Sequence, residues 1–156
     1  MEKKKVLYVD QNPYDLKSPN SRELHIERQN RIKDNLKEKY SVLTLHNLHS
    51  EDLEMNIKYF EPDLLLTHLP YNFLGTYTDS IKILKNLIGK YDKMIPVVYT
   101  GASKKSVPDE RLKEIGVKAV IRKIDNEQDR ENVSECLEKL LIKEEKEFLA
   151  FYNEYC

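Results

Sequence analysis

The chain has 156 residues, 40% hydrophobic and 34% charged, and its 26 basic and 27 acidic side chains leave a net charge of −1 with histidine neutral. That length fits one domain with a real core, and the balance of charge leaves no electrostatic footprint for nucleic acid or an anionic membrane. No apolar stretch approaches the roughly 20 residues that span a bilayer, no signal region precedes the first strand, and Cys136 and Cys156 make neither a disulfide framework nor a metal knuckle, so a cytoplasmic protein is expected. Residues 5 to 10, KVLYVD, read as a first strand closed by an acid, and the basic run Lys3 to Lys5 as its solvated flank. QNPYDLKSPNS then forms a loop longer than the two to six residues usual for such a connection. The spacing predicts a helix over 22–39, with Asn20 or Ser21 as N-cap and Leu24, Ile32 and Leu36 inward.

Ser41 to Leu45 alternates as a second strand, flanked by His46 and His49. Ser50, followed by Glu51 and Asp52, predicts the N-cap of a second helix that turns Leu53, Ile57 and Phe60 inward and stops before Pro62. The stretch EPDLLLTHLP is the centre of the pattern: Leu64, Leu65 and Leu66, bounded by turn residues, read as a strand buried on both faces. A loop over 71–77 and a helix over 78–91 follow, the helix presenting Ile81, Leu84, Leu87 and Ile88. Pro96 stands at the start of a fourth strand ending at Tyr99, Pro108 opens a helix to Ile115, Gly116 caps it, and Lys118 to Arg122 make a fifth strand. A last helix starts at Asp125 or Asn126 and continues almost to the C-terminus. Five strands alternating with five helices imply an α/β fold with a doubly wound parallel sheet. Its polar strand ends, Asp10, Thr67, His68 and Thr100, gather at the carboxyl edge, where ligands and chemistry collect in such sheets.

The acid after the first strand, the PDLLL segment, PVVYTG and GVKAVIRK together resemble the receiver domain of two-component response regulators, over residues 4 to 142. The resemblance implies a flavodoxin-like fold with strand order 2-1-3-4-5. It also implies a phosphoryl acceptor aspartate at the end of strand three, two acids after strand one that hold Mg²⁺, a Thr or Ser after strand four and a Lys after strand five. Asp10, Thr100 and Lys123 match these positions, but Gln11 stands where receivers carry a second acid, and Ile124 replaces a proline. Counting from Pro62 the acceptor position is His68, counting back from Pro70 it is Leu66, and no alignment in that window supplies a carboxylate. Phosphorylation of an aspartate needs an ionised nucleophile and a metal to neutralise the phosphoryl oxygens. The resemblance is therefore to a degenerate receiver, a pseudo-receiver outside ordinary phosphorelay chemistry. Its remnant site is Asp10, Gln11, Thr67, His68, Thr100 and Lys123, with no resident metal or cofactor beyond a weak Mg²⁺ site through Asp10.

His68 reads as filling the abandoned pocket, hydrogen-bonded to Asp10, ahead of a role as phosphoryl acceptor or metal ligand. His46 and His49 lack a third ligand at zinc spacing. Without a glycine-rich loop after strand one or a nucleophile motif, no enzyme is expected. The remaining alternative is a small flavodoxin-like enzyme or ligand-binding protein using the carboxyl edge. Residues 1–143 form the receiver-like domain and 144–156 continue its last helix. There Phe148, Phe151, Tyr152 and Tyr155 would form one helical stripe, folded back on the protein or serving as a contact for a protein partner or a second copy.

Overall fold

The computed structural model describes residues 2–70, 75–124, 126–142 and 147–151. Strands β1 (Lys5–Asp10), β2 (Ser41–His46), β3 (Leu64–Thr67), β4 (Ile95–Thr100), β5 (Ala119–Arg122) and β6 (Leu149–Phe151) form one parallel sheet in the order β2-β1-β3-β4-β5-β6. Helices α1 (Pro19–Lys37), α2 (Leu53–Phe60), α3 (Thr78–Lys90), α4 (Asp109–Glu114) and α5 (Asn126–Leu141) connect them.

The central strands are uninterrupted apolar runs because both of their faces are covered. Successive side chains point to opposite faces, so Leu7, Val9, Leu65, Val98 and Val120 meet α2, α3 and α4, whereas Val6, Tyr8, Leu66, Val97 and Ile121 meet α1 and α5. Tyr8, Leu66, Val97 and Ala119 stand side by side across the sheet. Each fully buried Val or Leu of these clusters contributes about 1.5–3 kcal/mol relative to exposure, which fixes the register of the strands and brings their polar ends level at one edge.

Several expectations are corrected. The sheet has six strands, not five, because the last helix stops at Leu141 instead of running on. Residues 149–151 lie in extended conformation along the free edge of β5, with Ala119, Val120 and Ile121 opposite Leu149, Ala150 and Phe151. Backbone pairing with an open strand outweighs a further helical turn there, since β5 otherwise leaves a row of donors and acceptors unpaired. The helical aromatic stripe is lost with the helix: Phe148 packs on the α2–α4 side of the sheet and Phe151 on the α1–α5 side. Tyr152, Tyr155, Cys156, the boundary at Lys143, Asp125 and the predicted loop over 71–74 lie outside the described residues.

Helix α1 begins three residues before its predicted start, with Ser18 as N-cap accepting from the Ser21 N–H and Pro19 in the first turn. Leu24 is 55% exposed. At about 100° per residue it lies off the face carrying Gln29, Ile32 and Leu36, and His25 and Arg28 occupy the upper turns beside the carboxyl edge. Ser50 does not cap α2 directly; its hydroxyl accepts from Asp52 N–H at 3.3 Å, in the turn before the helix. Gly116 closes α4 with φ +104°, and a Cβ there would lie 2.9 Å from Ile88 Cγ2, so the turn needs glycine on both counts.

Candidate functional site at the carboxyl edge

Asp10, Gln11, Thr67, His68, Thr100 and Lys123 do converge at the carboxyl edge, as their strand ends require. Asp10 is 2% exposed, and its oxygens are taken by neighbours. Tyr8 donates its hydroxyl to Oδ2 at 2.6 Å, Gln11 donates its backbone N–H to Oδ1 at 2.8 Å, and the Lys123 ammonium stands 3.7 Å from Oδ1. Burial works against the charge on Asp10, but Lys123 and the two hydrogen bonds outweigh it and hold the carboxyl below its usual range. Gln11 offers its backbone rather than its side chain: its N–H goes to Asp10 and its C=O accepts from Gln29 Nε2 at 2.7 Å.

His68 continues the ladder from β3, donating its N–H to Val9 C=O at 2.9 Å. Its ring is not hydrogen-bonded to Asp10, in contrast to the sequence expectation. Nε2 instead accepts the backbone N–H of Leu48 at 3.0 Å, in the loop after β2. Burial lowers the His68 pKa to about 4, against the attraction of Asp10, so at neutral pH the ring is uncharged. With Nε2 accepting, the proton sits on Nδ1, and neither nitrogen presents a lone pair to a phosphoryl group or a metal. Thr67 turns its hydroxyl to the His68 C=O at 2.9 Å, and Thr100 uses its Oγ1 to accept Ala102 N–H at 3.0 Å. Lys123 lies 4.7 Å from the centre of the Tyr99 ring and donates its backbone N–H to Thr100 C=O at 2.9 Å.

Sequence reasoning missed the second layer. Tyr99 donates to Asp129 Oδ2 at 2.6 Å, Asp129 Oδ1 accepts Ile124 N–H at 2.7 Å, and Arg28 Nε stands 3.5 Å from Oδ2. Burial raises the Asp129 pKa against these partners. The pair ties β4 to the first turn of α5 as Tyr8 ties β1 to its own terminal acid. Arg122, 1% exposed, donates to the C=O of Ala102 and Val107 at 3.0 and 2.7 Å and to Asp109 at 2.7 Å, pinning the loop after β4. The signal for Tyr8 was available: it stands two residues before Asp10, hence on the same face. Asp129 had none, being joined to Tyr99 only by folding.

A cleft of about 640 Å³ opens over these residues, lined among others by Gln11, Arg28, Asn47, Tyr77, Thr100 and Lys123. The loop after β1 contributes Asp15 and Leu16 to its wall. His49 bonds Ser80 Oγ at 3.0 Å rather than pairing with His46 around a metal. Among the described residues no group of three or more His, Cys, Asp or Glu side chains is placed to hold a metal ion, and no helix is long and apolar enough to cross a membrane.

No protein-family model matches the sequence, and no curated protein does. Solved structures match the fold. The non-phosphorylated receiver domain of the stress response regulator RcsB from Escherichia coli is 14% identical, with a TM-score of 0.66 over 96% of this chain and 98% of that one. The RcsB response regulator of Salmonella typhimurium is 17% identical at a TM-score of 0.63, covering 94% of this chain and 63% of that one, so this chain spans less than two thirds of that protein. The chemotaxis response regulator CheY4 of Vibrio cholerae is 14% identical at a TM-score of 0.56, over 86% of this chain and 98% of that one. The fold is receiver-like, a flavodoxin-like parallel sheet with an added sixth strand.

Proposed function

We propose that this chain is a receiver-like signalling domain that takes no phosphoryl group on an aspartate and acts through contact with another protein. The observation that carries the reading is His68 at the end of β3, its Nε2 closed by the Leu48 N–H, where a receiver would present a carboxylate. Asp10, the acid that ends β1, spends its oxygens on Tyr8, Gln11 and Lys123. A hard cation needs several free oxygen ligands, so these residues do not fit Mg²⁺, and no step is routed through one. The groups at the receiver-like strand ends are thus neutral or internally paired, which stiffens the edge without offering a nucleophile. With no acceptor and no metal seat, the domain is proposed to be neither an enzyme nor a phosphorelay member. It works in the cytoplasm, its output carried by surface rather than by chemistry.

The test is mass analysis of the purified chain after acetyl phosphate and Mg²⁺, beside a His68→Asp variant. No added phosphoryl mass on the native chain is the expected result; an adduct on His68, or on any aspartate, would sink the reading. The cleft of about 640 Å³ favours one other reading, a small ligand-binding protein or enzyme using this edge. A small molecule retained at stoichiometric level in the native mass spectrum would favour it.

A further inference from the structure

The edge of β5 is a strand-acceptor site, and we propose that in solution it exchanges its own β6 for the β6 of a second copy of this chain. The inference rests on the contact-based reading above and names the surface that would carry it. With β6 in place the seat is closed and its occupant only partly covered. Ala119, Val120, Ile121 and Arg122 are all at most 1% exposed, whereas Leu149 and Phe151 are half-buried and Ala150 is exposed. The occupant clips over the sheet edge from both sides. Leu149 and Phe151 pack into the cluster of Ile121, Cys136 and Leu140, and Phe148 reaches the opposite cluster. Each ring has a cation over it, Lys113 5.7 Å from Phe148 and Lys139 5.2 Å from Phe151. Leu149 donates its N–H to Lys118 C=O at 2.7 Å, where the pairing starts.

The seat is built from α4, Lys118, β5 and α5, all earlier in the chain than β6. The seat is therefore complete before its occupant arrives, and the segment from another copy brings the same backbone bonds, rings and apolar contacts. Exchange of an identical terminal element changes no contact and is a low-cost route to a dimer, and adding a strand to an open edge is a general mode of recognition. The tethered segment has an effective concentration in the millimolar range, so the dimer grows with protein concentration instead of dominating in dilute solution.

Val120 and Ala150 are register partners, which makes the exchange readable by disulfide trapping in the full chain carrying Cys156→Ser. Val120→Cys and Ala150→Cys are made as separate chains, mixed, and oxidised at about 10 µM and about 500 µM, the upper end approaching the tether's effective concentration. The expected product is a disulfide-linked heterodimer, several-fold more abundant at the higher concentration, while the chain carrying both substitutions closes internally when dilute. Internal closure with no heterodimer at either concentration overturns the exchange. So does a predominance of dimers joined through Ala150→Cys on both chains, which means that edges abut without exchanging. A doubly substituted chain that fails to close also overturns it, since β6 is then not seated on β5. Ile121→Cys with Phe151→Cys, the next register pair, repeats the test if Val120→Cys does not fold. The phosphoryl measurement uses the unsubstituted chain, so either idea can fail without the other.

Discussion

The backbone N–H of Leu48 points at Nε2 of His68 from 3.0 Å. That contact admits the neutral imidazole and rejects the imidazolium, because a protonated Nε2 would set donor against donor. With its folded pKa near 4, below the ordinary 6.5, His68 takes its proton more readily in the unfolded chain. Stability from this group is complete above pH 6.5 and falls as the pH drops to 4. At about 1.4 kcal/mol per pH unit the loss is about 3 kcal/mol. Urea midpoints measured between pH 7 and 4 check this, and His68→Gln should flatten that part of the profile.

Asp10 and Lys123 should behave as a buried pair. Asp10→Ala strands the Tyr8 hydroxyl and takes a carboxylate away from beside the Lys123 ammonium, an expected loss of about 3 kcal/mol. Adding Lys123→Met should recover a large part of it. Four urea unfolding curves, for the native chain, the two single variants and the double variant, give the coupling directly.

Arg122 carries more than its own burial. Arg122→Met leaves two carbonyls and the Asp109 carboxylate without their donor, at an expected cost of about 3–5 kcal/mol. The damage should be local before it is global. Hydrogen exchange at Val107, whose N–H bonds Ser103 C=O, should accelerate ahead of the strand amides.

Gly116→Ala should lose about 1–2 kcal/mol through the positive φ alone, and more through the approach to Ile88. Pairing it with Ile88→Ala relieves the clash but not the backbone strain, so thermal melting of the double variant should fall between a clean sum and full rescue.

Much of this architecture is legible in the residues. Leu64 to Leu66 and Val6 to Val9 are apolar without alternation, which only a strand covered on both faces explains. Helix α3 falls within one residue of its predicted end because Ile81, Leu84 and Leu87 keep one phase. The receiver resemblance is matched by the strand order β2-β1-β3-β4-β5. What escaped reading depends on partners created by folding. Phe148 and Phe151 are three apart, a spacing that suits a helical face, yet the free edge of β5 turns the segment into a strand. Leu24 looks apolar enough for the core, but the helix phase is set by Ile32 and Leu36 and leaves it outside. For the site, the identity of the residues at each strand end was readable, while the bonds of His68 to Leu48 and of Tyr99 to Asp129 span 20 and 30 residues and carry no local spacing.

The two tyrosine–carboxylate pairs make the protein its own optical gauge. The chain has ten tyrosines and no tryptophan, so its near-ultraviolet absorbance is tyrosine absorbance. Burial, and then the adjacent Asp10 or Asp129, raises the pKa of Tyr8 and of Tyr99 above the ordinary value of 10. Both hold their protons for as long as β1 and β4 stay packed against α1 and α5, and release them when that packing opens. Since the unfolded chain gives up these protons first, stability declines as the pH climbs past 10. A late rise in the phenolate band during alkaline titration therefore reports the opening of this face of the sheet, with no label attached.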